Sequence, residues 1–229
     1  AALEDILAEQ EIPSVDRVLL DLGLSSDQLA DGERGFSFDS DAQLDMRFDS
    51  TRGEPASEIV NRAQEQELAR IIYEYGEERY SRRIAKRIVN HRPITSAAEL
   101  ARLVCGAVPR PKGRPRIHPA TRVFQALRIA VNHELEQLDT TLNHVLPACL
   151  KPGGRAVIIA FHSLEDRLTK LRFAKLVHPC ICPPGMPVCN CPPPEAEFVT
   201  RRAVRVSDSE KKHNPRARSA RVRAVRRIR

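Results

Sequence analysis

No stretch of 18 consecutive apolar residues occurs in these 229 residues, which excludes a membrane-spanning helix of the usual kind. Ala1 to Glu11 alternates Leu and Ile with acids. The basic start, apolar run and small-residue cleavage site of a secretory signal are missing there. Six cysteines are too few for a disulfide scaffold in a chain this long, so a reducing, cytoplasmic setting is the default expectation. No internal repeat is found. None of the ten glycines stands in a Gly-x-Gly triplet, so a cofactor loop of that type is absent from this stretch.

What is present is unevenly charged. The net charge is +7, yet residues 200–229 hold 12 Lys and Arg against Asp208 and Glu210. The remaining 25 basic and 28 acidic residues leave the body slightly negative. A basic tail on such a body suits a polyanion, because Lys and Arg that neutralise phosphates release counterions. A solvated tail without a partner is the plainer reading of the same composition.

Hydrophobic periodicity gives α/β grammar. Val15 to Leu22 is a nearly continuous apolar run ending at Gly23, the pattern of a parallel strand buried on both faces. Asp21 then falls at the strand's carboxyl end, where open α/β sheets bind ligands. Residues 24–50 read as a loop with Phe36, Phe38, Met46 and Phe48 interleaved. Helical spacing links Leu68, Ile71, Ile72 and Tyr75, then Tyr80, Ile84 and Ile88 on a basic segment that Pro93 ends. Ser96 and Glu99 make a capping box. A long helix is expected from about Pro119 to Ala148, closed by Pro152-Gly153-Gly154. Arg155 to Phe161 is a second buried strand, with Ser163 capping the next helix. Ala220 to Val225 reads as a basic edge strand. The two buried strands lie about 130 residues apart, where a crossover needs roughly a dozen. The excess implies an inserted helical lobe: sheet-bearing segments at 1–44 and 122–229 would flank a lobe at 45–121.

Several residues carry chemistry under two readings each. Asp21 is a site carboxylate or a turn cap. Phe36 and Phe38 could stack on an unpaired base or pin their own loop. Arg34 and Arg47 could meet phosphate, or pair with Glu33 and Asp45. His162 follows the second strand as a scaffold residue or an acid/base. The basic segments 79–92 and 108–119 read as phosphate contacts or as solvated faces. Cys180-x-Cys182, six residues, then Cys189-x-Cys191 is a zinc knuckle, a redox centre or a set of free thiols.

Ordered motifs then give a resemblance. Asp21-Leu-Gly-Leu-Ser-Ser-Asp-Gln-Leu29, Glu33-Arg-Gly-Phe-Ser-Phe38 and Leu44-Asp-Met-Arg47 come first. Tyr75-Gly-Glu-Glu-Arg79, His118-Pro-Ala-Thr-Arg122, Phe161-His-Ser-Leu-Glu-Asp-Arg167 and Asn214-Pro-Arg-Ala-Arg-Ser219 follow in order. Together they resemble the RsmH (MraW) family of ribosomal small-subunit RNA cytosine N4-methyltransferases. The resemblance implies a class I, Rossmann-like methyltransferase sheet with an inserted helical lobe and S-adenosylmethionine as cofactor. It implies the small-subunit ribosomal RNA, or the assembling small subunit, as partner, and Asp21 and Gln28 as cofactor contacts. Asp21 and His162 are the catalytic expectations; Arg34, Phe36, Phe38 and Arg47 are the RNA-binding ones. The family's preceding strand and Gly-Gly-His loop have no counterpart here, so the sheet is expected to be N-terminally incomplete. A competing expectation is a catalytically inactive RNA-binding fragment acting in ribosome assembly.

Overall fold

The computed structural model describes residues 3–25, 27–28, 32–38, 41–109, 118–183 and 189–229. In chain order these form α1 (Leu3–Glu9), β1 (Val15–Asp21), α2 (Ala56–Arg62), α3 (Glu65–Gly76), α4 (Ser81–Val89), α5 (Ala97–Ala107) and α6 (Ala120–Asn132). Then come α7 (Glu134–Thr140), a π-helical turn (Thr141–Val145), α8 (Leu146–Cys149), β2 (Leu150–Ala160) and α9 (Ser163–Val177). The remainder is β3 (Ala196–Phe198), β4 (Val204–Arg205), α10 (Asp208–His213), a 3-10 turn (Pro215–Ser219) and β5 (Arg221–Arg227). Two compact units result: residues 1–23 with 135–229, and residues 24–134.

The first unit is a mixed sheet in the order β1-β2-β5-β3, with β4 on β5. β1 runs parallel to β2, with Asp21 opposite Ile159; β5 is antiparallel to both β2 and β3. β5 therefore lies inside the sheet, not at its edge as its basic alternation suggested. Strand order depends on distant pairing, which local pattern does not carry. β2 begins at Leu150 and not Arg155, because the Pro152-Gly153-Gly154 stretch is taken up where the β1 register skips. β1 buries only Val18, while Leu19 is 64% exposed; its apolar run is not covered on both faces by the described residues. The core is Leu142, Val145, Leu146, Ile158, Phe173 and Val225 among others, with α9 packed on the sheet.

The second unit is helical. Leu68 and Ile72 of α3, Ile84 and Ile88 of α4, Leu100 and Val104 of α5, and Val123 and Leu127 of α6 fill one core, following their helical spacing. Gly76 is required where α3 meets α6: a Cβ there would lie 2.6 Å from the Arg122 carbonyl oxygen. Gly35, at φ +70°, would place a Cβ 2.4 Å from the Gln43 carbonyl oxygen. Both glycines belong to the ordered motifs, and backbone crowding explains them. Ser96 caps α5 as expected, accepting from the Glu99 N–H at 3.2 Å. Glu99 reaches the Thr95 N–H instead of the Ser96 N–H, so the box is half formed.

The single long helix expected from 119 to 148 is broken at His133, which adopts φ 51°. Asn132 explains the stop. Its side chain accepts from the Phe48 N–H at 2.6 Å and donates to the Met46 carbonyl at 2.7 Å. Arg128 and Glu134 pair across the break at 2.8 and 3.0 Å. The apolar stripe continues through it, but Leu127 belongs to the helical core and Leu138, Leu142 and Val145 to the sheet's core.

Candidate functional site

Three chain segments meet at one edge of the sheet. Asp21 ends β1, Phe161 and His162 follow β2, and Ser219 to Arg221 lead into β5 opposite Ala160. Asp21 is exposed, and its carboxylate has no hydrogen-bond or ion-pair partner among the described residues. Leu22 keeps the strand's pairing one residue further, donating to the Ile159 carbonyl at 3.1 Å. A free acid at a parallel strand's carboxyl end is placed to accept hydrogen bonds from a ligand.

Beside the end of β2 lies a pocket of about 300 Å³, lined by Phe161, His162, Ser163, Arg205, Lys211, Arg218 and Arg221 among others. That size is at the lower end of small-ligand sites. Lys211 is paired with Asp208 and Arg221 with Asp166, both at 2.7 Å. Arg205 and Arg218 are exposed and have no acidic partner among the described residues. The pocket is thus net basic and unites the Phe-His-Ser and Asn-Pro-Arg-Ala-Arg-Ser motifs.

His162, not Ser163, caps α9. Its extended backbone and its Nδ1, which accepts from the Glu165 N–H at 3.4 Å, form one half of a capping box. Glu165 forms the other, accepting from the Phe161 and His162 N–H groups at 2.8 and 3.2 Å. Burial alone would raise the Glu165 pKa. The His162 side chain and these backbone donors outweigh it and hold the carboxyl below its ordinary value. With Nδ1 accepting, Nε2 is the ring atom left facing the Glu165 carboxylate. That atom sits 3.2 Å from Glu165 Oε1, too far off line for a hydrogen bond.

In the helical unit, Gln28 and Ser25 exchange hydrogen bonds at 3.1 Å, each side chain meeting the other's backbone N–H. The Gln28 amide oxygen is thereby occupied and its NH₂ group is left to donate. Arg34 donates to the carbonyls of Arg47 and Phe48 and lies over the Phe36 ring. Arg47 pairs with Asp45 through two bonds and reaches the Gly53 carbonyl. Its hydrogen bond is the main cause holding the Asp45 carboxyl below the ordinary value. Phe36 is 8% exposed within the helical core. Phe38 stacks on His118 with ring centroids 4.4 Å apart and meets Phe124 edge-on. These four side chains pin their own loop in this structure, which is why the compact helical unit extends back to Leu24.

The basic segment that begins at Arg79 borders a groove of about 980 Å³ on the helical unit, lined by Tyr73, Arg79, Tyr80, Arg82 and Arg83 with parts of α3. Sequence reasoning named the arginines and missed Tyr73 and the α3 wall. Tyr73 is 62% exposed, and the Arg79 guanidinium lies 4.7 Å from the Tyr80 ring centre. The signal was present as aromatics interleaved with arginines, split between two helices. Of the other basic segment, residues 110–117 lie outside the described residues. The four cysteines converge. Sulfur separations are 3.6 Å for Cys180–Cys189, 3.7 Å for Cys182–Cys189 and 3.5 Å for Cys182–Cys191. Crowding splits them: contacts with Cys191 and Cys189 push Cys182 up to about 12, while the Ile181 N–H pulls Cys191 down to about 7.

The mixed sheet, the free acid at its carboxyl edge and the attached helical unit are those of a class I, Rossmann-like methyltransferase fold. Residues 1–228 match the model of the MraW methylase family, and the chain belongs to that family. It is 55% identical to the ribosomal RNA small subunit methyltransferase H of Syntrophotalea carbinolica over 227 residues, covering 97% of this chain and 72% of that protein. Proteins of the same name from Symbiobacterium thermophilum and Thermomicrobium roseum are 50% and 55% identical. Those matches cover 96% and 93% of this chain, and 70% and 66% of theirs.

Proposed function

We propose that this chain methylates N4 of a cytidine in small-subunit ribosomal RNA, with S-adenosylmethionine as donor. The observation that carries the reading is Asp21: a partner-free carboxylate among the described residues, at the carboxyl end of a parallel strand, in a member of a methylase family. The substrate class rests on the name borne by the relatives. Asp21 suits the cofactor's ammonium group or a cytosine amine, because both present N–H donors. Gln28 keeps an NH₂ group with which to donate to a ligand, its amide oxygen being taken by the Ser25 N–H.

Bound S-adenosylmethionine supplies an electrophilic methyl group on its sulfonium. Cytosine N4 is a poor nucleophile because its lone pair is delocalised into the ring. The protein must therefore hold N4 in line and provide an acceptor for its proton. Asp21 fills that acceptor role. His162, with Nδ1 engaged by the Glu165 N–H and Nε2 facing the Glu165 carboxylate, acts as a positioning residue for the first turn of α9. Arg205 and Arg218 hold phosphate of the RNA in the pocket beside β2. The groove at Tyr73, Arg79, Arg82 and Arg83 tracks backbone phosphates and stacks a base. Arg34, Phe36, Phe38 and Arg47 serve the RNA by fixing the shape of the loop after β1.

Mass mapping of ribosomal RNA from a strain lacking the gene should show one methyl missing from a cytidine N4. The wild-type gene should restore it, and Asp21→Asn should lower the initial rate by about 100-fold or more. An unchanged methylation map in the deletion strain overturns the assignment.

A further inference from the structure

The loop between α9 and β3 supplies none of the residues placed in the site above, yet it brings four thiols together. Its ends are tied to the fold: His178 donates to the Ala174 carbonyl at 2.7 Å, Glu195 to Leu176 at 2.9 Å, and Ile228 to Glu195 at 2.9 Å. Between those ties the described residues form no helix or strand. Hydrophobic burial does not hold this loop either. Ile181 is 91% exposed, and each of the four cysteines is exposed or half-buried. Exposed thiols at such spacing need a reason.

We propose that Cys180, Cys182, Cys189 and Cys191 form a tetrahedral site for one zinc ion, which staples the crossing from α9 to β3. Zinc–thiolate bonds of about 2.3 Å imply sulfur–sulfur edges of about 3.8 Å in a regular tetrahedron. The three short separations, 3.5–3.7 Å, lie near that edge, and all four sulfurs fall within 4.8 Å of one another. Covalent disulfides need about 2.05 Å, and the four cysteines are free. The Ile181 N–H points at Cys191 Sγ from 3.4 Å, a donor that stabilises a metal-bound thiolate. Soft sulfur ligands select zinc over the oxygen-seeking magnesium and calcium. Four protein ligands leave no open position, so the ion is structural and takes no part in the reaction. Its mechanical role follows from topology. β3 covers the side of β5 away from β2, and the loop is what delivers β3 to that place.

Binding should release protons from the thiols as zinc–sulfur bonds form, with no change of oxidation state. Protein purified without chelator should contain about one zinc per chain, and thiol reagent should reach the four cysteines only after chelation. Replacement by cobalt(II) should give the visible bands of a tetrahedral thiolate complex. Chelation should speed hydrogen exchange in 178–199 and leave β1 and β2 unchanged. Cys182→Ser should abolish stoichiometric zinc, whereas Cys105→Ser should not. If Cys182→Ser fails to fold, chelation of the wild-type protein still decides. A zinc content near zero with four reactive thiols overturns the proposal, as do two disulfides found by mass spectrometry or iron in place of zinc.

Discussion

β5 and α4 carry basic residues at similar density, and the structure uses them in opposite ways. On β5, Arg221 and Arg223 both pair with Asp166 at 2.7 Å, and Arg226 pairs with Glu197 at 2.6 Å. Arg227 donates to the carbonyls of Pro147 and Leu150. On α4, Arg82, Arg83 and Lys86 are exposed and have no acidic partner among the described residues. The difference follows from position. A strand inside a sheet brings its charges under neighbouring elements, where an unpaired ion is costly. A helix can leave one face in water at no such cost. Composition alone marks both segments as phosphate-binding, and the neighbours decide which one is available. Within the basic C-terminal segment, the arginines of β5 hold the fold together, while Arg205 and Arg218 remain free to meet an anion.

The largest expected effect comes from breaking the paired region. Asp166→Ala strips the partner from two arginines, and Arg223 is only 14% exposed at its side chain. Removing one member of a buried pair costs on the order of 3 kcal/mol, read as a lower denaturation midpoint. Arg82→Ala with Arg83→Ala should move that midpoint by no more than about 0.5 kcal/mol per site. Equal effects on stability would erase the contrast between β5 and α4.

Acid should sharpen the same contrast. Burial alone would raise the Asp166 pKa, but Arg223 and Arg221 outweigh it and hold the carboxyl below 3.8. Glu165 is likewise held below 4.5 by His162 and two backbone donors, against its burial. A depressed carboxyl binds fewer protons when folded than when unfolded. Its contribution is therefore complete above the unfolded value, near pH 4 to 4.5, and is lost as pH falls through the folded value. Asp166→Asn should flatten the decline of stability below pH 4 and leave the shape above pH 5 unchanged. An identical acid slope in wild type and variant would show that the arginine pairs contribute nothing.

What was legible in the sequence was local. The helical spacing of Leu68, Ile72, Ile84 and Ile88, the Ser96 cap, the apolar strand of β2 and Asp21 at the end of β1 all depend on neighbours within a few residues. What was not legible depends on the tertiary environment. Phe36 and Phe38 read equally well as platforms or anchors until the helices are seen around them. His162 and Ser163 compete for one cap, and backbone direction decides. The interior place of β5 is set by β3, which three apolar-to-acidic residues, Ala196 to Phe198, barely announce. The Tyr73 groove combines side chains of α3 with the residues that open α4, so neither helix alone signals it.

A smaller effect is expected at Tyr73, whose ring is exposed beside arginines without a packing duty in the core. A base stacked on an aromatic ring contributes about 1–3 kcal/mol. Tyr73→Ala should therefore weaken binding of small-subunit ribosomal RNA by about tenfold or more, and Tyr73→Phe should largely retain it because the ring face remains. Direct titration by fluorescence anisotropy measures both. Equal weakening by the two variants would locate the contribution in the hydroxyl and remove stacking from the account.

The smallest effect is also the most specific. A phosphate contact contributes through counterion release, so it appears in the salt dependence of affinity before it appears in stability. Each phosphate neutralised contributes roughly 0.7 to 0.9 to the slope of log affinity against log salt. Arg82→Ala should reduce that slope by about one such step, and Arg82→Ala with Arg83→Ala by about two, with thermal unfolding unchanged. Arg226→Ala provides the internal comparison, since its charge is already met by Glu197 at 2.6 Å on a neighbouring strand. Its slope should stay at the wild-type value. The measurement is anisotropy of labelled ribosomal RNA across a salt series, which separates charge from shape. If Arg226→Ala lowers the slope as much as Arg82→Ala does, the paired strand also faces phosphate. If neither changes it, α4 is a solvated face, and the RNA is held by the pocket beside β2 alone.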